Sequence, residues 1–478
     1  MAKATIIQDK ATTQPIQSLR PEIKGEALRR RLWASLPFLL VIAAILSSQY
    51  WTLFLSTSDI ARYQCYALYY WYGEGALRLL PLHQCAFAGP PPAVPYSFYP
   101  FEYPPLTLLV FLLPLFFSIQ RYPLVFALMM ALVAIGVYYL LLRYGTRRAV
   151  KLYTVFLVLG AAVTTFARYD LIPAALTLLA VLSAERKRWP QAYIFLAFGV
   201  LMKYYPIVLL PVFFLAEQIE TGRIPALAAG ASLSEALRAF ATSVLRLRTW
   251  RWKNTLLFSA LVLAVMGLFA VFDLQNAVLH PLLYLLGRPV QIESVQGTLL
   301  WLASLFGVPL ELEYSYGSLN WLSPLGVWME RAFTLFLAAG LVWILKELWQ
   351  QKMDLLQAAL AALILLVATG KVFSPQYLLW LIPLIAYSGI PNRTLTLTWI
   401  AVCVLTSLIF PGYYSFAPNG NSLPHMPGFL PILAVRNGLM VALAFAYLLN
   451  VNKARERLAP SSLMKERRPL GQALRISR

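Results

Sequence analysis

Residues 124–142 read LVFALMMALVAIGVYYLLL and are closed by Arg143, Arg147, Arg148 and Lys151. No charge interrupts the run, and its length is what a helix needs to cross the ~30 Å hydrocarbon core of a bilayer. The pattern then recurs: apolar stretches of ~15–25 residues, each bounded by polar or basic links, cover most of the chain. Of the 478 residues, 60% are hydrophobic and the mean hydropathy is +0.66, against about 45–50% apolar in soluble domains. The expected fold class is an all-α polytopic membrane protein, because backbone polar groups in lipid must be satisfied within the helix. A membrane β-barrel is excluded, since its strands would show period-2 alternation rather than long apolar runs.

The net charge is +20, with a pI of about 9.9. The basic residues cluster between apolar runs, as the positive-inside rule requires. No basic groove with interleaved aromatics accompanies them, so nucleic acid is not an expected partner. The cysteines, Cys65, Cys85 and Cys403, give neither a disulfide framework nor a zinc pattern. Cys65 and Cys85 share one loop and are either a disulfide pair or two buried thiols. Cys403 lies in an apolar run and is read as packing. His83, His280 and His425 lack ligand spacing, so no metal is expected.

Arg29-Arg30-Arg31 precedes the first apolar run, 33–55. This places a polar tail, 1–32, in the cytoplasm and carries Asp59 to the outer side. No cleavable signal pattern is visible in it. The transmembrane domain is expected over 33–450, with about 11–13 spans of ~20 residues. Its outer loops are 56–103 and 273–324, its cytoplasmic loop is 217–253, and a basic cytoplasmic tail follows at 451–478. The first outer loop holds an aromatic helical piece (Tyr63, Tyr66, Tyr69, Tyr70), expected to lie in the interface. A proline-rich piece (Pro90-Pro91-Pro92, Pro95) follows, which cannot be helical. Two parities compete in the first half. If every long run spans once, Asp170 falls inside. If the basic links at Arg147 and Arg186 are both inside, Asp170 falls outside. That second reading is preferred. It needs 106–119 to be re-entrant and the segments flanking Lys203 to be half-spans.

Ionisable groups beside membrane spans are costly and by default suggest function. Asp59 is three residues before Arg62, which fits a surface ion pair or a carboxylate kept ionised to take a proton. Glu102 precedes Tyr103-Pro104-Pro105, prolines suited to a first helical turn. Its carboxylate is either an anion near a helix N-terminus or a functional group. Lys203-Tyr204-Tyr205-Pro206 and Lys371-Val372-Phe373-Ser374-Pro375-Gln376-Tyr377 each set a lysine against an apolar run. Such lysines either snorkel or, with Arg168 and Arg288, hold a phosphate at the membrane surface. Ser294, which ends the segment Arg288-Pro289-Val290-Gln291-Ile292-Glu293-Ser294, is a candidate helix cap.

In this order and on this hydropathy, the motifs resemble the GT-C superfamily of integral-membrane glycosyltransferases. The branch they look most like is that of the polyprenyl-phosphate-mannose-dependent mannosyltransferases of phosphatidylinositol mannoside synthesis. The resemblance rests on Asp59, Glu102-Tyr103-Pro104-Pro105-Leu106, Arg168-Tyr169-Asp170-Leu171, Lys203-Tyr204-Tyr205-Pro206, Gln291-Ile292-Glu293-Ser294 and the Lys371-to-Tyr377 motif. The Asp59-to-Tyr63 spacing also resembles lipid-A aminoarabinose transferases of the same superfamily. The chain departs from the pattern at Pro95-Tyr96-Ser97-Phe98 and at Leu285, both on the expected acceptor side. The resemblance implies a GT-C fold, an inverting hexosyl transfer from a polyprenyl-phosphate sugar to a lipid or glycan acceptor, and no cofactor. It implies Asp59 as general base, with Arg62, Glu102, Tyr103, Arg168, Asp170, Lys203, Arg288, Gln291, Glu293, Lys371 and Gln376 lining the substrate. The implied place is the outer face of the plasma membrane, with both termini cytoplasmic. The rival readings are a transporter or flippase of lipid-linked sugars and a non-catalytic membrane scaffold.

Overall fold

The computed structural model describes residues 58–81, 83–225, 247–390 and 392–457 continuously, with scattered residues of 35–55 and 227–244. The expected tail 1–32, most of the first apolar run and residues 458–478 lie outside the described residues. The chain divides into two units, Met1–Ile45 and Leu46–Arg478. The helices and strands from Asp59 to Arg457 belong to the second.

The described residues are predominantly helical. Helix α1 (Asp59–Tyr72) starts where the Ser58 side chain accepts from the Ala61 N–H at 3.2 Å, with Asp59 in the first turn, where the helix dipole favours an anion. A short helix α2 (Thr107–Leu112) follows the proline-rich loop. The bundle then runs α3 (Tyr122–Tyr144), α4 (Arg147–Ala167), α5 (Leu171–Glu185), α6 (Trp189–Met202) and α7 (Leu210–Glu220). It continues with α8 (Leu233–Val244), α9 (Lys253–Leu274) and α10 (His280–Gly287). The last part is α11 (Val295–Ser304), α12 (Gly326–Trp349), α13 (Leu355–Thr369), α14 (Leu378–Ser388), α15 (Arg393–Ser407) and α16 (Phe429–Arg457). Among the described residues, six helical stretches are long and apolar enough to cross a membrane, and there are shorter apolar helices, α5, α6 and α13 among them. The molecule is a multi-pass membrane protein. Helices α5 and α6, of 15 and 14 residues, are shorter than the ~20 that a perpendicular span needs, and both have largely buried residues.

Two ends can be told apart. Tyr387 Oη, at the close of α14, donates to Glu185 at the close of α5 (2.6 Å). Lys187 before α6 pairs with Glu220 at the end of α7 (3.3 Å). Both segments flanking Lys203 thus return to one end, and Lys203, extended at φ −160° and ψ 134°, is the tip of their hairpin. Tyr193 and Phe213 face each other across it. The apolar run 106–119 also folds back, because Tyr122 Oη donates to the Phe111 carbonyl (2.8 Å) and Gln64 Nε2 to that of Ile119 (2.7 Å). Asp170 therefore lies at the same end as Asp59, whose carboxylate pairs with Arg168 two residues before it.

Two expectations are revised and one open alternative is decided. The tyrosine-bearing α1 does not lie on the surface: Tyr63, Tyr66 and Tyr69 are buried, with Tyr63 stacked on Phe111 at 4.4 Å. Cys65 and Cys85 form a disulfide. The second loop begins later than 273, since α9 continues through a π turn into α10 and ends at Gly287. Beyond it stands a small antiparallel sheet, the one exception to an all-α fold among the described residues. It comprises β1 (Val290–Gln291), β2 (Glu311–Ser315) and β3 (Ser318–Leu322) in the order β1-β3-β2, with Gln291 opposite Asn320. Val290, Leu319 and Trp321 pack it on Phe429 and Leu433 of α16.

Candidate functional site

The site end is built from chain breaks. Arg168 follows the last turn of α4 in an extended conformation. Its guanidinium forms an ion pair with the Asp59 carboxylate from the first turn of α1, and both side chains are about a fifth exposed, at 20% and 21%. Two residues on, Asp170 opens α5 and is only 1% exposed. Its Oδ1 accepts from Lys203 Nζ at 2.5 Å and from Trp380 Nε1 at 2.7 Å. The Lys203 ammonium sits 5.3–5.9 Å from the ring centroids of Tyr103, Tyr169, Tyr377 and Trp380, a cage whose faces attract a cation. Burial pushes the Lys203 ammonium below the ordinary lysine range, against the upward pull of Asp170.

Arg62 and Glu102 form a second ion pair beside this one. The i, i+3 pairing of Asp59 with Arg62 is therefore corrected: each crosses to a partner far away in sequence. The Arg62 guanidinium also lies against Gly317 in the β2–β3 turn, where a Cβ would collide with it and φ is +68°. Arg288 Nη2 donates to Ser318 Oγ (2.7 Å) in the same turn.

Gln291 locks the sheet to the segment before α14. Its N–H donates to the Lys371 carbonyl (2.9 Å), and its side-chain oxygen accepts from the Phe373 N–H (3.0 Å). Ser294 caps α11 as expected, accepting from the Gly297 N–H at 2.9 Å. Glu293 is buried and accepts from Tyr414 Oη, while its backbone carbonyl takes Arg436 Nη2 and Asn437 Nδ2. Burial pushes the Glu293 carboxyl up, with Arg436 and Tyr414 pulling it down. Gln376 is buried, and its Oε1 has no partner among the described residues.

Lys371 is the sequence candidate that the structure turns away. Its ammonium donates to the Leu286 carbonyl (2.8 Å) and pairs with Glu330 (3.2 Å). Residues missed in the sequence include Trp380, Tyr414 and above all Arg436. Arg436 is fully buried in α16, 3.9 Å over the Phe373 ring, with Nε and Nη1 unpartnered among the described residues. The signal was there, a single cation inside the apolar run 429–449.

Glu293 lies within electrostatic reach of Arg436, Arg168 and Arg288, so the pairs form one constellation. Asp59, Glu102, Asp170 and Glu293 face Arg62, Arg168, Lys203, Arg288 and Arg436, which leaves one cation in surplus. Such a site can hold an anion beside a partly open carboxylate. No family model, no curated protein and no solved structure matches the chain.

Proposed function

We propose that the chain is an inverting glycosyltransferase of the GT-C type. It moves a hexose, mannose by the resemblance, from a polyprenyl phosphate to a lipid or glycan acceptor at the outer face of the plasma membrane. The observation that carries this reading is the Asp59–Arg168 pair, a carboxylate about a fifth exposed beside a caged, half-buried ammonium. Asp59 takes the proton of the acceptor hydroxyl as its oxygen bonds to the anomeric carbon. The bond from that carbon to the phosphate oxygen breaks, and the lipid phosphate departs with the electron pair. Lys203, Arg168 and Arg288 offset its charge in a site largely closed to water. Lys203 spends one donor on Asp170, and an ammonium has three. Tyr103 and Tyr377 offer faces and edges for the sugar. The Cys65–Cys85 disulfide supports an oxidising, outer location for this end. Glu102, Asp170, Gln291, Glu293 and Gln376 hold the constellation in shape.

The test is transfer of label from a radiolabelled polyprenyl-phosphate hexose to membrane lipids and proteins by the purified chain. Wild type should transfer, and Asp59→Asn should be slower by about 10²–10⁴-fold. Full activity in the variant would remove Asp59 as the base. Absence of transfer from several donors that nonetheless bind would favour a flippase of lipid-linked sugars.

A further inference from the structure

A second charged site lies at the other end of the bundle. The chain leaves α7 at Glu220 and enters α9 at Lys253, and α5 alone separates this end from Asp170 by ~22 Å of helix. A cavity of about 730 Å³ opens here, lined by Arg223, Arg248, Arg251 and Lys253 with the rings of Trp250 and Trp252, and by no carboxylate among the described residues. Arg251 lies 3.4 Å from the buried Glu217. Arg223, Arg248 and Lys253 make no ion pair among the described residues. The strap is held in place, because Gln218 bonds both the N–H (2.8 Å) and the carbonyl (3.1 Å) of Arg251. Trp250 and Trp252 lie nearly parallel, 5.8 Å apart at 22°, with Phe214 beside them.

Position says what such a cavity meets. It sits at the first turn of the apolar stretch Lys253–Gly287, whose most apolar 18 residues are only 6% buried in the protein. Leu256 and Leu263, at 62% and 70% exposed, carry that face away from the cavity. Paired tryptophans at the start of a lipid-facing helix mark the headgroup level. Arginines there meet phosphate oxygens with a fork of donors, and basic clusters next to a membrane helix attract anionic lipid.

We infer that this cavity binds the phosphate of an anionic phospholipid headgroup, whose acyl chains lie along the exposed face of α9. The site is separate from the Asp59 constellation and does not rest on its reading. A free phosphate would satisfy the same cations, but the adjoining apolar wall suits a lipid.

The test uses the full chain in non-ionic detergent, titrated with brominated phosphatidylglycerol and, in parallel, brominated phosphatidylcholine, with quenching of tryptophan fluorescence as readout. Wild type should respond to phosphatidylglycerol at roughly tenfold lower concentration or better. The triple variant Arg223→Gln, Arg248→Gln, Lys253→Gln should lose that preference, and its charge-conserving counterpart Arg223→Lys, Arg248→Lys, Lys253→Arg should keep it. In Trp250→Phe, Trp252→Phe the preferential quenching should vanish, which locates the lipid without touching the charges. Equal response of wild type to both lipids would overturn the inference, as would unchanged quenching in the double tryptophan variant. Displacement of the lipid by millimolar inorganic phosphate at unchanged detergent would overturn the lipid assignment.

Discussion

Asp170 shows how a buried charge is tolerated. It is sealed from solvent, and its Oδ1 is met by Lys203 and Trp380. Removing one partner leaves the other charge buried and uncompensated, which costs about 3–5 kcal/mol. Lys203→Met should therefore lower thermal stability in detergent by that order, and adding Asp170→Asn should recover most of the loss. Asp59 differs, being partly open. Asp59→Asn should shift stability by no more than about 1 kcal/mol, so its loss of transfer would report chemistry rather than unfolding. Glu293 gives a pH signature. Burial raises its folded-state affinity for a proton, so its stabilising contribution is complete below the ordinary carboxylate range and is lost as pH rises through the folded value. Unfolding midpoints of Glu293→Gln should match or exceed wild type at neutral pH and converge with it in acid. A wild type that gains stability over the variant as pH rises would reverse that sign.

At the scale of elements, the site depends on where helices stop. Arg168, Lys203 and Lys371 all stand at breaks between an apolar helix and the next turn, where a backbone freed from the helix lets polar side chains gather. Helix α11 is fixed by its cap and by close approach. A Cβ at Gly297 would come within 2.9 Å of the Ile292 carbonyl oxygen, in the loop that carries Glu293. Gly136 in α3 has nothing within 4 Å of an added Cβ. Gly297→Ala should thus destabilise by about 1–3 kcal/mol, through overpacking. Gly136→Ala should stabilise by about 0.5–1 kcal/mol, by removing backbone entropy from the unfolded chain. Melting midpoints of the two variants, measured side by side, check both signs.

At the scale of the whole molecule, the two ends should be reachable from opposite sides of the membrane. Cys403 is buried and Cys65 is paired with Cys85, so the native thiol background is low. Cysteines placed at the exposed Ser97 and Lys187 should label from opposite sides of sealed vesicles, with Lys187→Cys cytoplasmic by the positive-inside rule. Labelling of both from one side would break the two-ended arrangement. The helical, membrane-spanning character was legible in the sequence, because a run such as 124–142 has no other stable form in lipid. So were Asp59, Arg168, Asp170 and Lys203, because a charge beside an apolar run is expensive enough to stand out. The partners of those charges were not legible. Asp59 reaches Arg168 rather than its helical neighbour Arg62, Lys371 leaves for Glu330, and Arg436 enters from α16. One-dimensional spacing records which residues share a helix face, whereas pairing between distant helices is set by crossing geometry, by the fold-back of 106–119 and by the hairpin at Lys203. Hydropathy alone decided that the chain enters the membrane, and only tertiary packing decided which charges meet, since each buried ion settles on the partner that best offsets its desolvation.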